Sequence, residues 1–356
     1  MTIGVHVPLD ADDIRSGVER VLRDFLDIQE RTAAAPELAL FTGLLREMLT
    51  AGGKRIRPLL CVTGWYVIRA EAPPPVVWRM AASLELFHAF ALIHDDIMDR
   101  SDTRRGRPTA HRALTTAHAG HTGAESLGIN AAILLGDLTL GWSYDLLYAT
   151  ADLAPPQVAA VSAVLNALRT ECLVGQYLDL TAAGRREVDV DAAWRTIRYK
   201  TAKYTIERPL QLGSILAGAD PQQLQALSDY AIPLGEAFQL RDDILGVFGD
   251  PTQTGKSVLD DLREGKHTVL VAMAYRNATP SQARYLRIHL GNPDLDSAAA
   301  EEIRAILTAC GARSAVEQTI TARYEQAVGA LDATTHLLHR TTWLRQFAAN
   351  ATYRTT

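Results

Sequence analysis

Leu84-Glu85-Leu86-Phe87-His88-Ala89-Phe90-Ala91-Leu92-Ile93-His94-Asp95-Asp96-Ile97-Met98-Asp99 decides how the rest of the chain is read. Leu84, Phe87, His88, Ala91, Leu92 and Asp95 follow the i, i+3, i+4, i+7, i+8, i+11 series of one helical face. Three carboxylates end this apolar helix. Asp95 and Asp99 are four apart, one turn above each other, and the stripe carries them inward. Two inward carboxylates repel each other and resist desolvation unless something positive lies between them. Oxygen ligands with no cysteine nearby suit a hard cation such as magnesium. A solvated acidic helix end has the same pattern, and this motif alone leaves both readings open.

The same vocabulary recurs at Phe238-Gln239-Leu240-Arg241-Asp242-Asp243-Ile244-Leu245-Gly246, a second adjacent acidic pair inside an apolar helical run. Segments 121–150, 157–181, 191–218, 222–248, 296–309 and 313–338 also carry helical periodicity. Alternating strand patterns bounded by hairpin turns are missing. The breaks fall at Pro73-Pro74-Pro75, Pro155-Pro156, Asp220-Pro221, Asp250-Pro251 and Thr279-Pro280. Asp220 before Pro221 reads as an N-cap followed by proline at the first helical position. With no dividing linker or solenoid repeat, the expectation is a single all-α domain over residues 1–356, with 1–12 a mobile end.

The 356 residues are 47 % hydrophobic and 22 % charged, enough for a large core. Thirty-six Lys and Arg against 41 Asp and Glu leave a net charge of −5, without the basic stripe of a nucleic-acid binder. Cys61, Cys172 and Cys310 are too scattered for a disulfide framework or a zinc site and read as buried thiols. The first twelve residues lack a signal-peptide pattern, and no stretch reads as a membrane span, so the expected location is the cytoplasm. Only five of the basic residues are lysine: Lys54, Lys200, Lys203, Lys256 and Lys266. Arginine is no replacement for a compact ammonium on a phosphate, so lysines retained in an arginine-rich chain are candidates for that task.

Those lysines fall in segments that look chemical on other grounds. GGKRIRP (52–58) follows a glycine break and opens a helix, with Lys54 and Arg57 on one face. TRRGRPT (103–109) follows the first acidic motif in a loop, and YKTAK (199–203) lies inside a helix. TGK (254–256) and GKHT (265–268) follow the second acidic motif. Any one of these is usually a solvated face. Together they supply what two diphosphates need beside a hard cation.

Taken in order over roughly residues 50–275, GGKRIRP, DDIMD with RRGRPT, GQYLD (175–179), YKTAKYT, FQLRDDILG and TGKSVLDDLREGK resemble the trans-isoprenyl diphosphate synthases, the polyprenyl synthetase family, most of all the geranylgeranyl diphosphate synthases. That resemblance implies a bundle of long, mostly antiparallel helices around a central cavity, usually as a homodimer. It implies condensation of isopentenyl diphosphate with an allylic diphosphate by ionisation, alkene attack and proton loss. Three Mg²⁺ ions are implied, two on Asp95 and Asp99 and the third on Asp242, with Asp96 and Asp243 acting through water or hydrogen bonds. Arg104, Lys200 and Lys256 would hold the allylic diphosphate, with Lys266 approaching it. Lys54, Arg57, His88 and Arg105 would hold isopentenyl diphosphate. Thr201 and Gln239, with Gln176 nearby, would orient the substrates, and Lys203 takes no role.

Gly246 stands where many members have a third aspartate, and His267 where a second basic residue often follows the lysine. Phe90, five before Asp95, with the small Ala91 four before and Phe87 eight before, resembles the pattern that stops growth at C20. Aromatics at both positions four and five before the motif would have argued for C15; C25 is the other neighbouring length. Phe87 and Phe90 also suit ordinary core packing. A class I terpene cyclase shares the first acidic motif but has no use for GGKRIRP. A non-catalytic partner subunit would be expected to lack metal or diphosphate residues that are present here.

Overall fold

Helix starts follow the punctuation of the sequence. The computed structural model describes residues 10–32, 35–148, 153–182, 189–250 and 259–354. In it Pro75 opens α4 (Pro75–Met98) and Pro155 opens α7 (Pro155–Ala182). Asp220 caps α10 (Pro221–Phe248) through a reciprocal capping box with Gln223, and Thr279 does the same with Gln282 for Pro280–His289. These side chains satisfy amides that have no partner inside the helix. The first helix, α1 (Ala11–Thr32), begins inside the stretch expected to be mobile.

The fold is all-α, and the chain divides into two compact units, Met1–Val158 with Leu212–Gly218, and Ala159–Gln211 with Ala219–Thr356. In the first, α4 packs along α6 (Ala124–Tyr148), with α3 (Ile56–Tyr66), α1 and α5 (Ala110–Ala117) around it. Ile93 of α4, Ala110 and Leu114 of α5, and Ala132 and Leu135 of α6 form one apolar cluster. Close approach of α4 and α6 depends on Gly136, because a Cβ there would strike the His94 ring.

The second unit is organised on α10, which packs against the helix Ala312–Ala333 and against the stretch Ile197–Glu207. Ala237, Leu240, Ile244 and Val247 of α10 join Val269, Leu270, Ile303, Leu307, Val316 and Ile320 in one core. Tyr230, fully buried, donates its hydroxyl to the Leu344 carbonyl at 2.7 Å. Arg241 grips Glu317 at 2.6 and 2.9 Å and the Thr352 carbonyl at 2.7 Å.

Segment 191–218, expected as one α-helix, is helical but not uniform. Between α8 (Val190–Thr196) and α9 (Arg208–Leu216), Ile197–Glu207 is π-helical. Such i→i+5 turns are rare and cluster at functional sites. Two glycines and three ion pairs hold this one. A Cβ at Gly175 of α7 would lie 2.5 Å from the Lys200 nitrogen, and one at Gly235 of α10 would lie 2.7 Å from the Ala202 Cβ. Arg198 pairs with buried Glu236 of α10 at 2.8 Å, Lys200 with Asp179 of α7 at 2.6 Å, and Lys203 with Glu171 of α7 at 2.7 Å. Lys203, without a role in the sequence reading, thus joins Arg208 in binding Glu171.

Three further expectations are corrected. RRGRPT is not an open loop, since Thr103–Arg104 pairs antiparallel with Arg107–Pro108 across a tight turn. The helix expected to open at GGKRIRP begins at Ile56, so Lys54 precedes it and shares no helical face with Arg57. Two helices, α4 and α7, are long and apolar enough by length and composition to cross a membrane. In α4 that apolarity serves packing, with 67 % of the window buried, whereas in α7 only 22 % is.

Replacing Gly235 with alanine should push the π-helical segment off α10. Overpacking of this kind costs about 1–3 kcal/mol, to be read by denaturant unfolding. Unchanged stability would show that the close approach is not needed.

Candidate active site

In the first unit the carboxylates of α4 sit in its last turn, where the helix dipole is already negative, so each is disfavoured without a cation. Asp96, not Asp95 or Asp99, is the deepest at 1 % exposure. The packed face of α4 runs through Leu86, Phe90, Ile93 and Asp96, while the stripe through His88, Ala91, Leu92 and Asp95 becomes half-buried toward its end. Arg104 answers Asp96, with Nε at 2.8 and 3.1 Å from the two carboxylate oxygens and Nη2 at 2.7 Å. Arg104 also reaches Asp95 at 3.4 Å. This leaves Asp95 and Asp99 half-exposed one turn apart, with the Asp99 amide bonded to the Asp95 carbonyl at 2.8 Å.

The ribbon that carries Arg104 turns at Arg105 and Gly106, both at positive φ, +52° and +72°. This is the backbone sign of a primed hairpin turn, strained for arginine. Arg105 answers the strain by donating to the Gly52 carbonyl and lying over Gly53, where a Cβ would be 2.7 Å from its guanidinium. Behind it Arg55 turns inward to buried Glu85 and the Leu49 carbonyl, which fastens GGKRIRP to α4. Burial, then the positive fields of Arg57, Arg104, Arg105 and Arg55, hold His88 well below the usual histidine pKa, so its imidazole is neutral. The expected set of Arg57, His88 and Arg105 is therefore brought together, and exposed Lys54 borders it in sequence.

Phe90 and Phe87 are both buried, 5.4 Å apart and edge to face, and Phe90 also meets His94 at 4.9 Å. Ala91 is half-buried.

In the second unit the polar residues form a relay. The Thr201 hydroxyl donates to Gln239 Oε1 at 2.6 Å, and Gln239 Nε2 donates to Asp243 Oδ1 at 2.9 Å. Thr201 and Gln239, expected to orient substrates, thus hold Asp243. Burial pushes the Asp243 carboxyl up to about 8, aided by the charges of Asp261 and Asp242 and opposed by the Gln239 hydrogen bond and Lys266. Asp242, next along α10, is more open and pairs with Arg354, whose guanidinium also lies 4.3 Å over the Phe238 ring. Lys266 pairs with Glu264 at 2.8 Å and Asp261 at 3.3 Å. Gln176 is half-buried on α7, beside Gly175, and Lys256 lies outside the described residues.

Among the described residues no three His, Cys, Asp or Glu side chains converge as a closed metal cage. Half-open carboxylates one turn apart still fit magnesium, which commonly takes one or two carboxylates and fills its shell with water and substrate phosphate. Among solved structures, geranylgeranyl pyrophosphate synthase from Corynebacterium glutamicum, complexed with isoprenyl diphosphate and magnesium, superposes with a TM-score of 0.90. It is 39 % identical, with 97 % of this chain and 99 % of that chain covered. The polyprenyl synthetase family model matches residues 39–308. The chain belongs to the polyprenyl synthetase family. Geranylfarnesyl diphosphate synthase of Aeropyrum pernix is 34 % identical over 268 residues, 73 % of this chain and 76 % of that protein. Octaprenyl diphosphate synthase of Escherichia coli is 32 % identical over 286 residues, 80 % of this chain and 81 % of that protein.

Membership in the family does not by itself point to Arg354, Asp179 or Glu85, which the sequence reading passed over. Asp179 lies inside the quoted GQYLD, and its spacing from Gly175 was the available signal. Arg354 and Glu85 carry no local pattern.

Asp243 predicts a pH effect whose sign is fixed. Its native pKa is raised from 3.8 to about 8, so in that range the folded state keeps a proton that the unfolded chain releases. Stability therefore falls as pH rises from about 4 to about 8. In chelator, Asp243→Asn should melt above the wild type at pH 8 by a few degrees, with the gap closing toward pH 5. An equal gap at both pH values would show that ionisation of Asp243 is not responsible.

Proposed function

We propose that this protein, a trans-prenyl diphosphate synthase, condenses isopentenyl diphosphate head to tail with an allylic diphosphate and stops at geranylgeranyl diphosphate, C20. The observation that carries the reading is the grouping of Arg57, Arg104 and Arg105 around neutral His88, one helical face before Asp95. Asp96 and Asp95 already answer Arg104, and the positive field that Arg57, Arg104 and Arg105 share at His88 would draw a further anion. A diphosphate supplies that anion.

Lys54, Arg57, His88 and Arg105 would bind the diphosphate of isopentenyl diphosphate, and Arg104, Lys200, Lys256 and Lys266 that of the allylic substrate. Asp95, Asp99 and Asp242 would hold Mg²⁺, three ions in all, which neutralises charge on the departing diphosphate. Asp96 keeps Arg104 directed at this end of α4, and the Thr201–Gln239 relay keeps Asp243 in place. A cation at Asp242 competes with the Arg354 ion pair. Once ionised, the allylic carbon is attacked by the alkene. The released diphosphate would then serve as the base that takes the proton.

Product length rests on Phe90 and Phe87 as the floor below Asp95, with Ala91 leaving room. Relatives named for C20, C25 and C40 products lie at similar identity, so overall similarity does not choose among them. Exposed Ile133 and Leu134 on α6, and Leu173, Val174, Tyr177 and Leu180 on α7, support a homodimer. The free thiols Cys61, Cys172 and Cys310 support a reducing, cytoplasmic location, and the burial of α4 within its unit speaks against stable membrane insertion of that helix.

Pure protein with Mg²⁺, isopentenyl diphosphate and C5, C10 or C15 allylic diphosphates should yield a C20 diphosphate by mass spectrometry. A C15 or C25 product would keep the reaction and discard the floor. No condensation with any primer, in folded protein, would turn attention to a partner subunit, and hydrocarbon or alcohol from one substrate would favour a cyclase. Phe90→Ala should lengthen the product; an unchanged distribution would remove Phe90 from the floor. Sedimentation should give twice the mass of one chain, and a single-chain mass would refute the homodimer.

A further inference from the structure

Arg55 stands between Lys54 and Arg57 in GGKRIRP, yet its side chain is buried, 4 % exposed, against Glu85 of α4, itself 7 % exposed. Its Nη1 donates to Glu85 Oε1, and its Nη2 to the Leu49 carbonyl near the end of α2 (Leu38–Thr50). The Arg55 backbone is left-handed, at φ +48° and ψ +40°, which strains a residue that carries a Cβ. Close by, Gly52 and Gly53 meet the demand for positive φ with glycine, at +81° and +141°. At position 55 a side chain is kept in spite of that strain, so its hold on Glu85 and Leu49 does something that glycine could not.

The same residue starts α3, since its carbonyl accepts from the Leu59 amide at 3.0 Å. Its backbone therefore sets the direction from which Lys54 enters and in which Arg57 follows. Glu85 lies one turn before His88 on the same side of α4. One helix thus carries both the anchor of Arg55 and the neutral imidazole around which Arg57 and Arg105 gather. Arg105 feels both members of the pair, since burial and then the field of Arg55 press its guanidinium below its ordinary value while Glu85 opposes them. Stability alone does not call for this pair, because a buried ion pair is often replaced by apolar side chains without loss.

Building on the synthase reading, we propose that Glu85 is a positioning residue for the subsite that takes isopentenyl diphosphate. Glu85 holds Arg55, Arg55 holds the left-handed turn, and the turn sets Lys54 and Arg57 in fixed places beside His88. Neither Glu85 nor Arg55 touches the substrate. The sign of the effect separates this role from a purely electrostatic one. As a bare negative charge near the subsite, Glu85 repels a diphosphate, and removing the charge would tighten binding. As an anchor it does the opposite, because donors released from the turn must be ordered by the ligand itself.

The test reads binding by thermal unfolding of the full chain in chelator, titrated with isopentenyl diphosphate alone, so that nothing turns over. Glu85→Gln keeps the shape and removes the charge. It should raise the concentration for half-maximal stabilisation about tenfold. In the Mg²⁺-dependent assay its KM for isopentenyl diphosphate should rise about tenfold too, with KM for the allylic diphosphate within about twofold of the wild type. Arg55→Met combined with Glu85→Leu removes the tether and fills its space. This double variant should melt close to the wild type and show the same loss of isopentenyl diphosphate binding. Unchanged or tighter binding in Glu85→Gln, an equal rise in both KM values, normal binding in the double variant, or failure of both variants to fold would each overturn the proposal. The synthase reading fails separately, if wild-type protein forms no condensation product.

Discussion

Carboxylates near the C-terminal ends of long apolar helices are opposed by the helix dipole, by one another and by the loss of water. Each must be matched with positive charge if the helix is to stay folded in place. In the first unit that requirement explains the ribbon after α4, which exists as structure largely to return Arg104 to Asp96 and Asp95. In the second unit the matching cations come from further away, Arg354 to Asp242 and Lys266 to Asp261, while Asp243 is managed by burial and a single amide. Around His88 the same matching holds, Arg104 with Asp96 and Asp95 and Arg55 with buried Glu85.

Small residues set the distances over which these charges act. Gly175 and Gly235 bring α7 and α10 against the backbone of the π-helical segment, and Gly53 lets a guanidinium lie flat on the chain. In each case the absent side chain makes room for a residue of the candidate site: Lys200, Thr201 beside Ala202, and Arg105.

Much of this was legible because its causes are local. Capping at Asp220 and Thr279, proline at the first helical turn and helical periodicity all act within a few residues, and the helices appear where those signals put them. The two acidic motifs were visible for the same reason. The depth order within the first motif was not. A stripe followed from Leu84 drifts around the helix over three turns, and the packed face reaches Asp96 instead of Asp95. Arg354 and Glu85 meet Asp242 and Arg55 across 112 and 30 residues, distances at which one charged side chain leaves no periodic trace. The π-helical turn was hidden as well, since its apolar and polar residues suit an α-helix and only its neighbours select the wider one.

That wider turn makes the region sensitive to chain length more than to side-chain identity. In an α-helix each residue advances the chain by about 100°, so a one-residue indel within Ile197–Glu207 would change the phase of whatever follows or precedes it. Lys200 and Ala202 would no longer face Gly175 and Gly235 together, and Arg198, Lys200 and Lys203 would lose their acidic partners as a group. An indel in a connecting loop shifts no helical face, but this stretch, locked on both sides, has no slack in which an added or missing residue can be hidden.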